Sequence, residues 1–245
     1  MDKMVYLAMS GARQTLLKQS NNNHNLANVN TTGFKSQMDS LAAVPLYGPG
    51  HPSRVYAVAN DSGSNFEQGN LVRTGNALDI AIDGAGFIAV LDVDGSEAYT
   101  RAGDLKISAE GLLQNSKGNL VLGNGGPISV SPYDEITIGN DGTITIRPLG
   151  QSQAELAVVD RIKLVNPDTN SLSRNERGLF VSDEGVEPAD GSVRVASESL
   201  ESSNVNSVEA LVTMIELSRQ FETQVKMMNL AQENDAKASR LLQTS

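Results

Sequence analysis

Few side chains in this sequence stand where they could do chemistry. Asp92-Val93-Asp94-Gly95 begins like a calcium loop, with two carboxylates ahead of a glycine. The remaining ligands and the closing Glu of such a loop are missing, so a turn is the better reading. Gly84-Ala85-Gly86 carries an alanine where the third glycine of a dinucleotide fingerprint belongs, and no βαβ unit surrounds it. It reads as a tight turn before a strand. The two histidines are His24, inside an asparagine run, and His51, in a Pro/Gly-rich stretch, and neither has a set of ligands around it. There is no cysteine, which excludes disulfides, thiolate metal sites and cysteine nucleophiles. Gly-x-Ser-x-Gly, a phosphate loop and His-Glu-x-x-His are all absent. A pair of carboxylates across a β domain could still hydrolyse a glycosidic bond, but no spacing locates such a pair. The expectation is therefore no catalytic, cofactor-binding or metal-binding residues.

Composition narrows the partners. A formal charge of −10, with nothing basic concentrated anywhere, argues against a nucleic-acid backbone. No apolar run reaches the ~18 residues that suggest a membrane span, so no membrane insertion is expected. The first residues lack a basic start followed by an apolar core, so a protein working outside the cytoplasm would need another export route than a cleaved signal peptide. Hydrophobic residues make up 39% of the 245, aromatics only 4%, enough for a lean core.

With no reacting group to position, the organisation of the chain lies in its ends. Asn206 can cap a helix through the N–H of Glu209, and no Gly or Pro follows before Ser245. Leu211, Met214, Ser218, Phe221, Val225 and Met228 repeat at spacings of three and four, the mark of a heptad seam. Val208, Val212 and Ile215 form a second apolar line, making the apolar face wider than the ~100° an ordinary surface helix buries. Farther on the seam turns polar. At the other end Val5, Met9, Ala12 and Leu16 make a matching line that continues through Gln19 and Asn23 to Leu26. The run from Asn21 to Asn25 has poor helix propensity, so this helix needs a partner, and it should end by Gly33.

Residues 37–70 shift to Pro, Gly, Ser and Asn and read as an extended linker. From 71 to 197 apolar residues alternate in short runs separated by Gly or Asn, as in Leu78-Asp79-Ile80-Ala81-Ile82-Asp83, read as a half-buried strand. Hairpin signals stand at Asp94-Gly95 and Asn140-Asp141-Gly142. The expected fold class is α+β: N- and C-terminal helices (1–36 and 198–245) forming a coiled-coil-like terminal domain, a linker (37–70), and a central all-β domain (71–197) able to fold by itself.

Asn25-Leu26-Ala27-Asn28-Val29-Asn30-Thr31-Thr32-Gly33-Phe34-Lys35 closely resembles the signature that ends the first helix of bacterial flagellar rod and hook axial proteins. Two further blocks agree. One runs from Gly69-Asn70-Leu71 through Gly86-Phe87 to Tyr99-Thr100-Arg101-Ala102-Gly103. The other comprises Ser203-Asn204-Val205-Asn206, Met214-Ile215 and Arg219-x-Phe221-Glu222. The opening Met4 to Ala12 is most similar to the proximal-rod type. Ile88 and Leu105 depart from the pattern, where the family often has aromatics. The resemblance implies a structural subunit of the periplasmic drive shaft, exported without a cleaved signal peptide by the flagellar export apparatus. Its partners would be itself and other flagellar rod proteins. A distal-rod or hook subunit is the nearer alternative, a peptidoglycan-modifying envelope enzyme the more distant one. Val5, Met9, Ala12, Leu16, Leu26, Val208, Leu211, Val212, Met214, Ile215, Phe221, Val225 and Met228 are the expected inter-subunit packing residues. By the same resemblance Asn25, Leu26, Ala27, Asn28, Thr31, Gly33, Phe34, Lys35, Asn204 and Asn206 are the family's motif residues.

Overall fold

The computed structural model describes residues 4–45, 55–150 and 156–243. The chain is α+β and divides into two compact units, each assembled from separated stretches of sequence.

The first unit comprises Met1–Asn28, Gln37–Ser64 and Val205–Ser245. It contains helix α1 (Met4–Ala27), helix α2 (Ser207–Gln243) and an antiparallel hairpin of β1 (Gln37–Pro45) and β2 (Val55–Ser64). Asn206 caps α2: its Oδ1 accepts from the N–H of Val208 at 3.0 Å and of Glu209 at 3.4 Å. The two helices pack antiparallel, with Gly11 beside Gln224 and Asn22 donating to the Ala210 carbonyl at 2.8 Å. The asparagine run that weakens α1 as an isolated helix is used for such bonds. Asn21 donates to the Asp39 carboxylate, and Asn25 accepts from the N–H of Gln37 and donates to its carbonyl, both at 2.9 Å. Tertiary contacts here outweigh intrinsic propensity. The stretch expected as linker thus contributes a paired hairpin, because Leu41 to Val44 and Val55 to Val58 have enough β-forming residues to zip across the Pro/Gly-rich connection.

The second unit comprises Val29–Ser36 and Asn65–Asn204. It is all β. Short strands include β3 (Leu71–Arg73), β4 (Ile80–Asp83), β5 (Phe87–Leu91) and β6 (Glu97–Thr100). In the largest sheet β5 is flanked by β6 and by Leu120–Gly123. The two faces of β5 serve two cores. Ile88 and Val90 join a large aliphatic cluster with Ile80, Ile82, Leu105 and Ile144, whereas Phe87 and Ala89 join Tyr99, Leu122 and Phe180. A strand covered on both sides reads as a continuous apolar run rather than an alternating one. The same holds for β4, expected as half-buried: Ile80, Ala81 and Ile82 are all buried, and only Asp83 is exposed. Both hairpin signals form hairpins, Gly95 and Gly142 taking φ of 80° and 83°. Ile88 and Leu105 are core residues of the aliphatic cluster.

The bounds of this unit differ from the expected span of 71–197. Phe34, Lys35 and Glu201 lie inside it and are buried. The two sides of the chain are tied by short strands at its base: Ser199–Glu201 pairs with β3, and Arg194–Ser197 pairs with β4.

Candidate functional site

Parts of all three motif blocks meet in one cluster in the β unit. Gly33 takes φ 65°, and a Cβ there would lie 2.2 Å from the carbonyl carbon of Arg101. Gly69 and Gly103 are equally constrained, a Cβ on each falling about 2 Å from the carbonyl oxygens of Ser202 and Ile80. With these backbones in contact, Gly33 donates its N–H to the Glu201 carbonyl at 2.8 Å.

The close approach seats a buried ionic cluster. Lys35 Nζ donates to Glu201 Oε1 at 2.6 Å and to the Glu67 carbonyl at 2.7 Å. Arg101 donates to Glu201 Oε2 at 3.0 Å and to the Gly84 carbonyl at 2.8 Å, with its guanidinium 5.2 Å over the Phe87 ring. Glu201 Oε1 also accepts the Gly69 N–H at 2.9 Å. Arg174 stacks 4.5 Å over Phe34 and donates to the Lys35 carbonyl. Burial pulls the Lys35 ammonium and the Arg101 guanidinium below their ordinary pKa values, and Glu201 opposes that pull on both. One carboxylate thus holds two buried cations drawn from stretches 166 and 100 residues away. Such a cluster contributes little net stability against an apolar replacement, but removing one partner strands the others. It fixes which segments meet.

Asn204 completes the clasp. Its Oδ1 accepts from the Ser36 N–H and its Nδ2 donates to the Asn65 carbonyl, both at 2.8 Å. The Asn of the C-terminal block therefore joins the chain leaving the first motif to the chain starting the β unit. Of the other motif residues, Asn25 bonds Gln37 within the helical unit, Asn28 donates to the His24 carbonyl, and the Thr31 carbonyl accepts from Phe34. Leu26 is half-buried and Ala27 exposed. Glu201, the centre of the cluster, was not singled out by sequence reasoning. The one signal for it is its place in the short segment Ser199–Glu201, where a charged residue ends an otherwise ordinary strand.

In the helical unit the buried line runs beside the expected one. On α1 it is Val5, Ala8, Ala12, Thr15, Gln19, Asn22 and Leu26, so Val5, Ala12 and Leu26 face inward while Met9 and Leu16 are exposed. On α2 it is Ala210, Met214, Leu217, Phe221, Gln224, Met228 and Ala231. Met214, Phe221, Val225 and Met228 are half-buried, and Val208, Leu211, Val212 and Ile215 are exposed. Small and polar residues occupy eight of these fourteen inward positions, and the helices approach closely: a Cβ on Gly11 would stand 3.0 Å from the Gln224 side chain. Among the described residues of the two helices ten further bulky apolar side chains are exposed, Tyr6 at 65% and Val208 at 68% among them.

The acidic turn at Asp92 is not built for an ion. Arg177 donates to Asp92 at 2.7 Å and to Asp94 at 3.0 Å, and Asn175 donates to the second Asp92 oxygen at 2.9 Å. Burial pushes the Asp92 carboxyl up, and the Val93 N–H and Arg177 together outweigh it, holding the group below its ordinary value. Gly84 and Gly86 form a turn between β4 and β5, with φ 87° and 125°. His24 is exposed on the last turn of α1, and His51 lies outside the described residues. No group of three or more His, Cys, Asp or Glu among the described residues could hold a metal ion, and no helix among them is long and apolar enough to cross a membrane.

Residues 196–241 match the family described as flagellar basal body rod FlgEFG protein, C-terminal, and residues 81–146 match the flagellar hook protein FlgE/F/G D1 domain. The chain is 39% identical to the flagellar basal-body rod protein FlgF of Salmonella typhimurium, with all of both chains covered. It is 39% identical to the FlgF of Escherichia coli over the same full extent. The flagellar basal-body rod protein FlgG of Borreliella burgdorferi is 29% identical, over 92% of this chain and 93% of that one. These are structural flagellar proteins and not enzymes. The chain belongs to the flagellar basal-body rod protein family.

Proposed function

We propose that this protein is a structural subunit of the proximal rod of the flagellar basal body. It would serve motility as part of the shaft that crosses the periplasm. The observation that carries the reading is the construction of the helical unit. Beyond the side chains that pair its two helices, a further set of large apolar ones, Tyr6, Met9, Leu16, Val208, Val212 and Ile215 among them, faces outward, an arrangement that suits a subunit to be covered by neighbours. The 3–4 spacing of the inward residues supports a coiled-coil-like pairing of α1 and α2. The exposed Met9, Leu16, Val208, Leu211, Val212 and Ile215 are then the inter-subunit packing residues, and Val5, Ala12, Leu26, Met214, Phe221, Val225 and Met228 hold the pair together. Partners are further copies and other rod proteins, with delivery by the flagellar export apparatus. The proximal assignment is supported by the 39% identity to two proteins named FlgF over the whole of both chains, against 29–31% to proteins named FlgG.

Deleting the gene should abolish swimming and leave basal bodies that stop short of the distal rod. Re-expression of the whole chain should restore both, and Val212→Asp should not, since it places a charge in a packed seam. Normal rods and swimming in the deletion strain would contradict the assignment.

A further inference from the structure

Arg174 is a half-buried cation of the β unit with no carboxylate beside it among the described residues. Lys35 and Arg101, by contrast, share Glu201, and Lys163 is held by Glu97 at 2.7 Å. The Arg174 guanidinium stacks 4.5 Å from the ring centre of Phe34 and 5.5 Å from that of Phe180, and its Nη1 donates to the Lys35 carbonyl at 3.1 Å. Its Nε is buried and meets no acceptor among the described residues. Burial pulls the group below its ordinary pKa with nothing opposing it. The Nε and Nη2 atoms approach Gly178, which closes the turn between Leu172–Arg174 and Phe180–Ser182 with a φ of 80°. The point where a Gly178 Cβ would stand lies 3.7 Å from Arg174 Nη2, 3.8 Å from Arg174 Nε and 4.0 Å from Lys117 Nζ, and no other atom outside the turn is nearer. Lys117 is an exposed residue of the turn between Leu113–Asn115 and Leu120–Gly123. Glu176, the carboxylate next to Gly178 in sequence, is exposed and pairs with neither cation, and Arg177 is taken by Asp92 and Asp94.

We propose that Arg174, Lys117 and the side-chain-free face of Gly178 form a binding site for one oxyanion. The Nε–H and Nη2–H of a guanidinium run parallel and match two oxygens of a carboxylate or phosphate group, a bidentate grip that an ammonium cannot give. Lys117 Nζ reaches the same point from the other turn, so an oxygen beside Gly178 is near three donors. The anion supplies what the fold leaves out there, an acceptor for a buried N–H and a counter-charge for two neighbouring cations. It also steadies what Arg174 clamps, the Phe34 ring and the Lys35 carbonyl. Its source is a free phosphate-type ion or a carboxylate carried on a docking chain, and the site recognises the same chemistry in both.

The arginine Nε–H resonances of the isotope-labelled full chain report the site. Inorganic phosphate and acetate are titrated separately, with sodium chloride holding the ionic strength constant so that screening does not change. The resonance that is absent from Arg174→Lys should shift and saturate with at least one of the two anions. Saturation by phosphate alone assigns the site to a free phosphate-type ion, and saturation by acetate assigns it to a carboxylate such as a docking chain carries. Lys117→Gln, at an exposed position, should weaken the binding roughly fivefold, Lys117→Glu should abolish it, and Arg194→Gln should leave it unchanged. The bound anion should also raise the melting temperature of the full chain and not that of Lys117→Glu, which keeps the test decisive if Arg174→Lys fails to fold. The proposal is overturned if neither anion moves the Arg174 resonance or the melting temperature beyond the chloride control. It is equally overturned if Lys117→Glu binds as the native chain does.

Discussion

Glu201→Gln is the perturbation that probes the motif cluster most sharply. The substitution keeps the size and shape of the side chain and removes one charge. In the native protein that charge faces Lys35 Nζ at 2.6 Å and Arg101 Nη1 at 3.0 Å, and all three side chains are almost wholly buried. Glutamine would present an amide NH2 to one of the cations and leave both without a counter-charge. Breaking a buried ion pair by deleting one partner costs about 3–5 kcal/mol. A folded domain holds only ~5–15 kcal/mol in all. At roughly 2 kcal/mol per molar, the urea midpoint should fall by about 2 M. The assay is urea unfolding of the full chain followed by tyrosine near-UV circular dichroism, there being no tryptophan. Glu198→Gln is the control, since its partner Arg73 is 80% exposed and the pair is solvated. Lys35→Met combined with Glu201→Gln should cost less than the sum of the single changes, because one stranded cation is gone. A midpoint for Glu201→Gln no lower than that of the control would refute the reasoning.

Gly33→Ala should lower the melting temperature of the β unit. The left-handed φ of 65° costs an alanine ~1–2 kcal/mol, and its Cβ would overlap the Arg101 carbonyl and force the backbones apart as well; an unchanged melting temperature would speak against the close approach. Ala12→Leu should loosen the helix pair by ~1–3 kcal/mol through overpacking, seen as earlier loss of far-UV helical signal, whereas Met9→Ala in the free chain should change little. Burial raises the Tyr99 hydroxyl to about 12, so its tyrosinate absorbance should appear later than that of an ordinary tyrosine. Because the folded value lies above the ordinary 10.0, its contribution is complete below pH 10 and is lost as pH rises toward 12. Full titration of all tyrosines near pH 10 with the fold intact would contradict the burial.

The sequence showed the helices and where their heptads lie, but only one inward position of each heptad. Of the α1 line Val5, Ala12, Gln19 and Leu26 face inward, as do Met214, Phe221 and Met228 of the α2 seam. The alternate positions were assigned to Met9, Leu16 and Leu211, which lie outside, because hydrophobicity draws the eye to the largest apolar side chain. Close helix approach favours small ones at Ala8, Thr15, Ala210 and Ala231, which no large apolar side chain marks, while Leu217 is a large residue in the same inward line. The β unit was legible from its turns, and the glycine and asparagine motifs marked where its segments meet. What they hold together was not legible. Lys35, Arg101 and Glu201 are charged, lie far apart in the chain and follow no period, so only the folded backbone brings them to one point.

Electron cryo-microscopy of basal bodies purified from the bacterium that makes this chain, at a resolution that traces side chains, tests the central claim most directly. The account predicts the two-unit fold in the proximal segment of the rod, with Met9, Leu16, Val208, Val212 and Ile215 covered by neighbouring subunits. Absence of the chain from the rod, or its presence there with those side chains facing solvent, would contradict it.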